Sequence, residues 1–264
     1  MNKPMSWFNY EIPEWFNVEN YKLLIVNKNG KNSEINLKAL DMSEFVKFNP
    51  PPPGTKNQLN ITADYSSAVL TYPRLDYPND SIRNRFLNDT FLELKNKRIN
   101  NLIIDLRGNG GGTPLNAAYF LLYLMVKDFV YSNTSTISEY LGLTNITMVD
   151  DNRYKGKMYF LIDGGSFSST GHILSFVRNY KLGPLIGELS SGSYSCNTIG
   201  FPFPLPNSKL VLKCSTGVYE TSVKGQNRAK GIVPDYEVRN SLTDILTGQD
   251  KVLEFARTLT TERK

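Results

Sequence analysis

The stretch Asn101-Leu-Ile-Ile-Asp105-Leu-Arg107-Gly-Asn109-Gly-Gly-Gly112 decides how this chain folds. Its apolar run is too short for a helix and rich in β-branched residues, which predicts a strand buried on both faces, as in a parallel sheet. An apolar helix is predicted next, over residues 115–126, with Pro114 suited to its first turn. A strand, a glycine turn and a helix form a βα unit whose bare backbone N–H groups favour an anion.

The spacing of these glycines excludes two familiar anion sites. A dinucleotide-binding turn needs a glycine at the sixth position counted from Gly108, and that position is Thr113. A phosphate-binding loop needs a closing Gly-Lys-Ser/Thr, which this stretch lacks. A tight turn without a ligand is therefore the simpler interpretation, unless a second motif supplies a partner.

A second unit of the same design follows. The strand predicted over residues 157–163 also ends in glycines and hydroxyls, in the run Gly164-Gly-Ser166-Phe-Ser168-Ser169-Thr170-Gly171, and a helix with an apolar face is predicted after it. The carboxyl ends of parallel strands meet at one sheet edge, where α/β proteins build their sites. A serine at such a helix start is either a structural cap or a polarised nucleophile, and the residues alone leave both open.

The remaining pattern predicts a small N-terminal β unit and a larger α/β core. Residues 21–26 and 33–38 predict a hairpin around Gly30, and the run Pro50-Pro-Pro-Pro-Gly54 predicts a boundary, so we place the units at residues 1–55 and 56–264. The first is a hairpin unit or the remnant of an N-terminal domain. Within the core we expect short strands over 59–65 and 68–72, a helix over 81–97 and an irregular surface excursion over 132–156.

Composition excludes several classes of function. The chain has 264 residues, 40% of them hydrophobic, which is enough for a sizeable core. Its net charge of +5 is scattered, so nucleic acid is disfavoured. No apolar run reaches the about 18 residues of a membrane span, and no signal peptide is predicted. Cys196 and Cys214 fit one disulfide or two thiols, and one histidine with two cysteines predicts no metal site or cofactor.

Five motifs in order resemble the catalytic core of the C-terminal processing (tail-specific) and tricorn-core serine peptidases. They are the two glycine turns, Leu185-Ile-Gly-Glu188, the late hairpin around Leu205-Pro-Asn-Ser208, and Gly231-Ile-Val-Pro-Asp235. The resemblance covers residues 60 to 260 and a C-terminal helix. It implies a ClpP/crotonase-like α/β core with a mainly parallel sheet and flanking helices. It also implies a peptide or protein substrate and an extracytoplasmic location, either secreted or in the cell envelope.

The resemblance assigns roles to individual positions. Ser168 aligns with the nucleophile, and Ser166 with the first serine of the family's Ser-x-Ser motif. It implies an oxyanion hole formed by the backbone N–H of Ser169 and one N–H from Gly110 or Gly111, with Gly111 favoured. Residues expected to contact the substrate are Asn109, Ser193 and Tyr194, although Asn109 is equally suited to holding the turn.

The resemblance breaks at the general base. Processing peptidases have a lysine where this chain has Ser193, and the tricorn-like branch uses an upstream histidine together with a glutamate before the Pro-Asp pair. The single histidine here is His172, which shares a helix face with Ser168 but fits a packed residue better. Lys224 and Lys230 suit the role only if they are buried enough to lower their pKa.

Three functions therefore remain open. The first is a serine peptidase core whose base comes from another region or from an unassigned residue. The second is a peptidase-like module that has lost catalysis and binds peptides, for instance by strand addition. The third is an acyl-transferring enzyme of crotonase type, in which neither the Ser168 cluster nor the Pro-Asp pair has a role. We favour the first, and the sequence predicts no oligomeric state.

Overall fold

The computed structural model describes residues 20–26, 29–38, 56–64, 66–133, 138–197, 201–215 and 217–261. The chain forms two compact units, Met1–Thr55 and Lys56–Lys264. The first contains strands β1 (Asn20–Val26) and β2 (Asn32–Lys38), which pair antiparallel. The predicted hairpin is confirmed, and Gly30 adopts a φ of +75° in its turn. The proline-rich stretch 50–54 lies outside the described residues.

The second unit is built on a mixed, mostly parallel sheet. Its strands are β3 (Gln58–Ile61), β4 (Ser67–Thr71), β5 (Asn101–Asp105), β6 (Phe129–Val130), β7 (Ile146–Thr147), β8 (Lys157–Ile162), β9 (Leu185–Gly187), β10 (Ser195–Asn197), β11 (Phe201–Pro204), β12 (Val211–Cys214), β13 (Val218–Glu220) and β14 (Tyr236–Glu237). Six of these form one sheet in the order β14-β9-β8-β5-β4-β3. Only the β3–β4 pair is antiparallel, so the predicted mainly parallel sheet is confirmed.

The helices flank this sheet. They are α1 (Asp80–Asn96), α2 (Pro114–Leu122), α3 (Ser169–Tyr180), α4 (Leu242–Thr247) and α5 (Lys251–Thr261), with a 3-10 helix at Ser138–Thr144. Side chains of Asn79 and Thr113 cap α1 and α2 by accepting backbone N–H groups. None of the described helices combines the length and the apolar character that a membrane span requires.

Strand β5 is buried on both faces, as the sequence predicts. Leu102 and Ile104 point into the larger core with α1, α2 and α3, whereas Ile103 packs in a smaller core with Val252 and Ala256 of α5. All three β5 side chains are fully buried. Burying an aliphatic side chain of this size contributes about 1.5 to 3 kcal/mol. The strand that carries the first glycine turn is thus among the most strongly held in the molecule.

Two predictions of local structure are wrong in part: the end of α2 and the irregular segment before β8. Helix α2 ends at Leu122, four residues before the predicted end at residue 126. It ends there because the carbonyls of Leu122 and Tyr123 accept N–H groups from Asp150 and Tyr154 and not from the next helical turn. Tyr123, Leu124 and Met125 stay buried beyond the helix, which is why their apolar character does not mark the helix end. The segment predicted as irregular over 132–156 contains the 3-10 helix and pairs β7 with β6.

The chain after β9 forms two ribbons. Strands β11 and β12 pair antiparallel and confirm the predicted late hairpin. Strands β10 and β13 also pair antiparallel, which sets Cys196 opposite Tyr219. This second ribbon packs against α3 and brings the loop after β9 to the carboxyl edge of the sheet.

Candidate active site

Two turns meet where the neighbouring parallel strands β5 and β8 end. We call residues 106–113 the first turn and residues 163–168 the second turn. The Gly108 N–H donates to Asp163 Oδ1 at 2.8 Å, and the Phe167 N–H donates to the Asn109 carbonyl at 3.0 Å. The Ser166 hydroxyl donates to the Leu106 carbonyl at 2.9 Å. Each turn therefore fixes the conformation of the other.

Asn109 is the internal brace of the first turn. Its side-chain oxygen accepts the Gly111 N–H at 3.0 Å and the Thr170 hydroxyl at 2.8 Å, while its amide nitrogen donates to the Tyr72 carbonyl at 2.6 Å. The residue is 0% exposed. The sequence left two roles open for Asn109, a substrate contact and holding the turn. The structure shows the second, because the buried side chain is fully engaged within the turn and cannot contact substrate in this conformation.

Ser169 binds the first turn to the start of α3. Its hydroxyl donates to the Gly112 carbonyl at 2.6 Å and accepts the Gly112 N–H at 2.9 Å. Its own backbone N–H has no acceptor among the described residues. That free donor lies at a helix N-terminus, where the backbone attracts negative charge.

Ser168 precedes α3 in a strained conformation. Its φ of 54° and ψ of −129° place it in a region that L-residues rarely adopt, and its side chain makes no capping bond to the helix. Such backbone strain persists only where the surroundings impose it, and it is concentrated at functional sites.

The first turn approaches Ser168 through Gly111. A Cβ added at Gly111 would lie 2.8 Å from Ser168 Cβ and 2.9 Å from the Phe167 carbonyl oxygen, so only glycine fits here. Its φ of +92° also favours glycine. However, the Gly111 N–H already donates to Asn109 within the turn. Gly111 is thus not the free donor that the sequence predicts, whereas the N–H of exposed Gly110 has no acceptor in the described part of the chain.

The loop over residues 189–194, which we call the third loop, packs on the second turn. The Gly192 N–H donates to the Ser166 carbonyl at 2.9 Å, and a Cβ on Gly171 would lie 2.4 Å from the Gly192 carbonyl carbon. Ser193 is buried and donates to the carbonyls of Ser195 and Arg228. The predicted substrate contact by the Ser193 hydroxyl is therefore replaced by internal bonds that hold the loop.

Tyr194, the other residue expected in the third loop to contact substrate, is half-buried. Its backbone carbonyl accepts the Thr221 N–H at 2.9 Å, and its side chain interacts with Arg228. The backbone thus anchors the loop to the segment after β13. Its side chain is partly exposed, so a substrate contact by Tyr194 stays a prediction.

His172 is fully buried, as expected for a packed residue on the first turns of α3. Its Nδ1 lies 2.8 Å from the Tyr131 hydroxyl and its Nε2 lies 3.3 Å from Cys196 Sγ. Burial lowers the pKa of His172 to about 4, and a hydrogen bond to the Tyr219 backbone partly offsets that effect. The imidazole is therefore neutral at pH 7. No hydrogen bond among the described residues joins it directly to Ser168.

Cys196 contacts His172, which the sequence does not predict. Both cysteines are free thiols, Cys196 half-buried and Cys214 exposed. Burial raises the pKa of the Cys196 thiol. Its place after β9 in the sequence does not by itself predict the contact with His172.

The lysines considered as bases lie elsewhere. Lys224 and Lys230 are both exposed, so the burial that this role requires is absent. Asp105 and Arg107 support the first turn, because the Arg107 guanidinium bridges Asp105 and Asp250 at 2.6 and 2.7 Å. Asp235 of the Pro-Asp pair bonds the Leu185 backbone and Arg178, which ties β9 to the end of α3.

This combination of a parallel sheet, interlocked glycine turns and a strained serine at a helix start is that of a peptidase of the serine type. The chain belongs to Peptidase family S41, whose family model matches residues 68–238. The resemblance seen in the motifs is thereby confirmed. Membership of this family argues against the third function, an acyl-transferring enzyme of crotonase type, in which the Ser168 cluster has no role.

Individual relatives agree with this assignment. The tail-specific protease of Haemophilus influenzae (strain ATCC 51907 / DSM 11121 / KW20 / Rd) is 25% identical over 166 residues, which are 61% of this chain and 23% of that protein. The chain thus spans less than a quarter of this relative's length.

Solved structures share the fold. A protein from Parabacteroides merdae ATCC 43184 described as a candidate peptidase matches with a TM-score of 0.57 and 17% identity, over 93% of this chain and 78% of that one. A candidate S41 protease from Bacteroides fragilis NCTC 9343 matches with a TM-score of 0.56 and 15% identity, over 92% and 66%. At these identities the likeness concerns the fold alone.

Proposed function

We propose that this chain is a serine peptidase core in which the Ser168 hydroxyl attacks the carbonyl carbon of a peptide bond. The observation that carries the proposal is the strained backbone of Ser168 at the start of α3, against which Gly111 is packed at the closest approach a glycine allows. Strain of this kind costs about 1 to 3 kcal/mol and is kept where a reactive group must be presented.

The oxyanion formed by that attack requires hydrogen-bond donors. We assign them to the N–H groups of Ser169 and Gly110, because both lack an acceptor within the described structure and belong to the two turns that flank Ser168. Removing one such donor typically costs about 3 kcal/mol of transition-state stabilisation. The hydroxyl of Ser169 and the side chain of Asn109 then act indirectly, by holding these donors in place.

A second function, peptide binding without cleavage, is favoured by one observation. At the position where processing peptidases have a lysine, Ser193 is engaged with main-chain carbonyls, and Lys224 and Lys230 are exposed. A serine hydroxyl without a base is a poor nucleophile. On this alternative the chain binds peptides beside Ser168 and releases them unchanged.

The substrate class follows from the family. Peptidase membership implies a peptide or protein substrate, with no further selectivity assigned. An extracytoplasmic location also belongs to the proposal, as the resemblance to tail-specific peptidases implies.

Labelling by a fluorophosphonate probe, read by intact mass, tests the proposal. We expect stoichiometric labelling of the wild type and none of Ser168→Ala. The matched control is Ser191→Ala, which removes a neighbouring exposed hydroxyl whose hydrogen bond, within the described residues, is to the Gly164 carbonyl. Equal labelling of Ser168→Ala contradicts the nucleophile assignment. A folded wild type that binds peptide but is never labelled supports the binding function.

A further inference from the structure

A loop over residues 222–231, which we call the basic loop, is attached to the third loop at both of its ends. Just before it, the Thr221 N–H donates to the Tyr194 carbonyl at 2.9 Å. Just after it, the Ile232 N–H donates to the Ser190 hydroxyl at 2.8 Å, and the Ser190 N–H donates to the Ile232 carbonyl at 3.2 Å. The ends of the basic loop are therefore fixed by the third loop.

Contacts between these ends hold the two loops together. The Arg228 carbonyl accepts the Ser193 hydroxyl at 3.3 Å. A Cβ added at Gly231 would lie 1.6 Å from the Ser190 carbonyl oxygen, so the two backbones touch there. The third loop in turn bonds the second turn, which ends at Ser168. The basic loop is thus linked to the Ser168 turn through a single intervening loop.

The charged side chains of the basic loop all have one sign. The loop contains Lys224, Arg228 and Lys230 and no acidic residue. The Arg228 guanidinium is balanced by an ion pair with Glu220 of β13. Lys224 and Lys230 are exposed, and neither forms an ion pair with an acidic side chain of the described residues. Within the described structure, two positive charges on this loop are therefore uncompensated.

The carboxylates around the third loop do not balance these lysines, because each has another partner. Glu188, directly before the third loop, pairs with Arg239 at 3.2 Å. Asp235, which follows the basic loop, pairs with Arg178. Asp163 in the second turn accepts backbone N–H groups at 2.8 Å. The lysine charges are thus available to an acidic ligand.

We propose that the basic loop binds acidic side chains of the peptide substrate through Lys224 and Lys230, and so selects Asp- and Glu-bearing peptides for the site at Ser168. This inference rests on the proposed function, which places a peptide at Ser168. An extended peptide advances about 3.3 Å per residue, so a chain that leaves Ser168 across the third loop meets the basic loop within a few residues.

The interaction supplies selectivity rather than high affinity. A lysine is a hydrated point charge on a flexible stem, which attracts a carboxylate without requiring one geometry. Exposed pairs of this kind contribute little each, and complementary charge chiefly speeds correct association and disfavours wrong partners. Two lysines are too few for a nucleic acid, whose binding depends on many phosphate contacts. The class of partner is therefore an acidic peptide.

Binding to Ser168→Ala protein tests the inference without cleavage. The probes are short peptides in two matched sets, one carrying Glu and the other Gln at the same positions. Both ends of every peptide are blocked, one of them by an uncharged dye, so that only side chains are charged. Fluorescence anisotropy measures Kd. We expect the Glu set to bind about threefold to tenfold more tightly, as two exposed ion pairs allow.

Charge reversal assigns the preference to the loop. Lys224→Glu combined with Lys230→Glu, added to Ser168→Ala, should make the Gln set the tighter one, and both positions are exposed, so the fold should tolerate the change. The matched control combines Lys155→Glu with Lys157→Glu. These exposed lysines lie at the amino end of β8, the sheet edge opposite the site. The control changes the net charge equally and should keep the preference for the Glu set.

Salt dependence provides a readout that a change in packing would not move. Exposed charges are screened beyond about 10 Å at about 0.1 M salt and beyond about 3 Å at about 1 M. The preference for the Glu set should therefore fall below about twofold in about 1 M sodium chloride. A preference that salt leaves unchanged would mean that shape, and not charge, is recognised, and it would overturn the inference.

The remaining outcomes separate this inference from the proposed function. Equal binding of the two sets, absence of binding by either, persistence of the preference in the reversed variant, or its loss in the control each overturns the inference. None of these results touches the labelling of Ser168 by an uncharged fluorophosphonate, which tests the proposed function. A wild type that is never labelled, while Ser168→Ala protein prefers the Glu set, supports the basic loop as a binding surface and contradicts cleavage by Ser168.

Discussion

Gly111 packs so closely against Ser168 that a Cβ on Gly111 would lie 2.8 Å from the Cβ of Ser168. The contact joins the turn after β5 to the serine before α3. It leaves no room for a side chain, and it sets the distance between the reactive hydroxyl and the turn that flanks it.

Gly111→Ala should destabilise the fold and abolish labelling. The added methyl meets Ser168 and the Phe167 carbonyl at under 3 Å, and the φ of +92° is unfavourable for alanine. Together these effects should lower the free energy of unfolding by about 2 to 4 kcal/mol. Urea unfolding measures the loss. Gly110→Ala is the matched control, because no atom lies within 4 Å of its added Cβ, and a similar loss in that variant would contradict the explanation.

Ser168→Gly should be more stable than the wild type. Glycine adopts a φ of 54° with a ψ of −129° without steric cost, whereas serine is strained there. We expect a gain of about 1 kcal/mol, seen as a higher thermal midpoint. Ser168→Ala keeps the Cβ and serves as the control, with stability near that of the wild type. A midpoint for Ser168→Gly at or below that of Ser168→Ala would argue against strain.

Stability should fall on acidification through the titration of His172. Its pKa is lowered to about 4 in the folded chain, so the unfolded chain binds the proton more readily. This contribution is fully present above about pH 6.5 and is lost as the pH falls towards 4, by about 3 kcal/mol in total. Unfolding measured at several pH values, with His172→Gln as reference, isolates the effect. Parallel pH curves for the two proteins would be inconsistent with a buried neutral imidazole.

Asp250→Asn should loosen the C-terminal helix. The Arg107 guanidinium donates to both oxygens of Asp250 at 2.8 and 2.7 Å, directly before α5. Replacing a carboxylate in a forked, partly exposed pair should cost about 1 to 2 kcal/mol and increase hydrogen exchange in α5. Glu254→Gln breaks an exposed pair with Lys251 on the same helix and should cost at most about 0.5 kcal/mol. Equal effects in the two variants would refute the distinction.

The two cysteines should react as separate thiols at different rates. Both are free, Cys214 exposed and Cys196 half-buried. Ellman's reagent should therefore give a fast phase and a slow phase of equal size. Cys214→Ala should remove the fast phase only. Protein that releases no thiol without reductant would instead indicate a disulfide.

Much of the fold can be predicted from the sequence, because the central strands need only apolar residues that are buried on both faces. Strands β5 and β8 are buried on both faces and therefore appear as continuous apolar runs that end in glycine. The end of α2 cannot be predicted in this way, because Tyr123, Leu124 and Met125 remain buried after the helix stops. Where residues stay buried on both sides of the end of a helix, the spacing of apolar residues does not reveal where the helix ends.

The candidate site is only half readable. Ser168, Ser169 and the glycines adjoin their strands in sequence, so motifs find them. Cys196 and Tyr131 reach His172 by long-range pairing, with separations of 24 and 41 residues. The pairing of β10 with β13 that orients Cys196 involves residues without a distinctive pattern. The hydrogen bond from the Gly111 N–H to the Asn109 side chain likewise has no distinctive sequence pattern.

The frame around Ser168 combines main-chain bonds with bonds made by four side chains, those of Asn109, Asp163, Ser166 and Ser169. The side chains of Phe167 and Tyr194 take no part in these bonds. Phe167 is 53% exposed directly before Ser168, and Tyr194 stands partly exposed in the third loop. A combinatorial library at these two positions can therefore vary the exposed surface beside the serine while the bonds that position the serine are left unaltered.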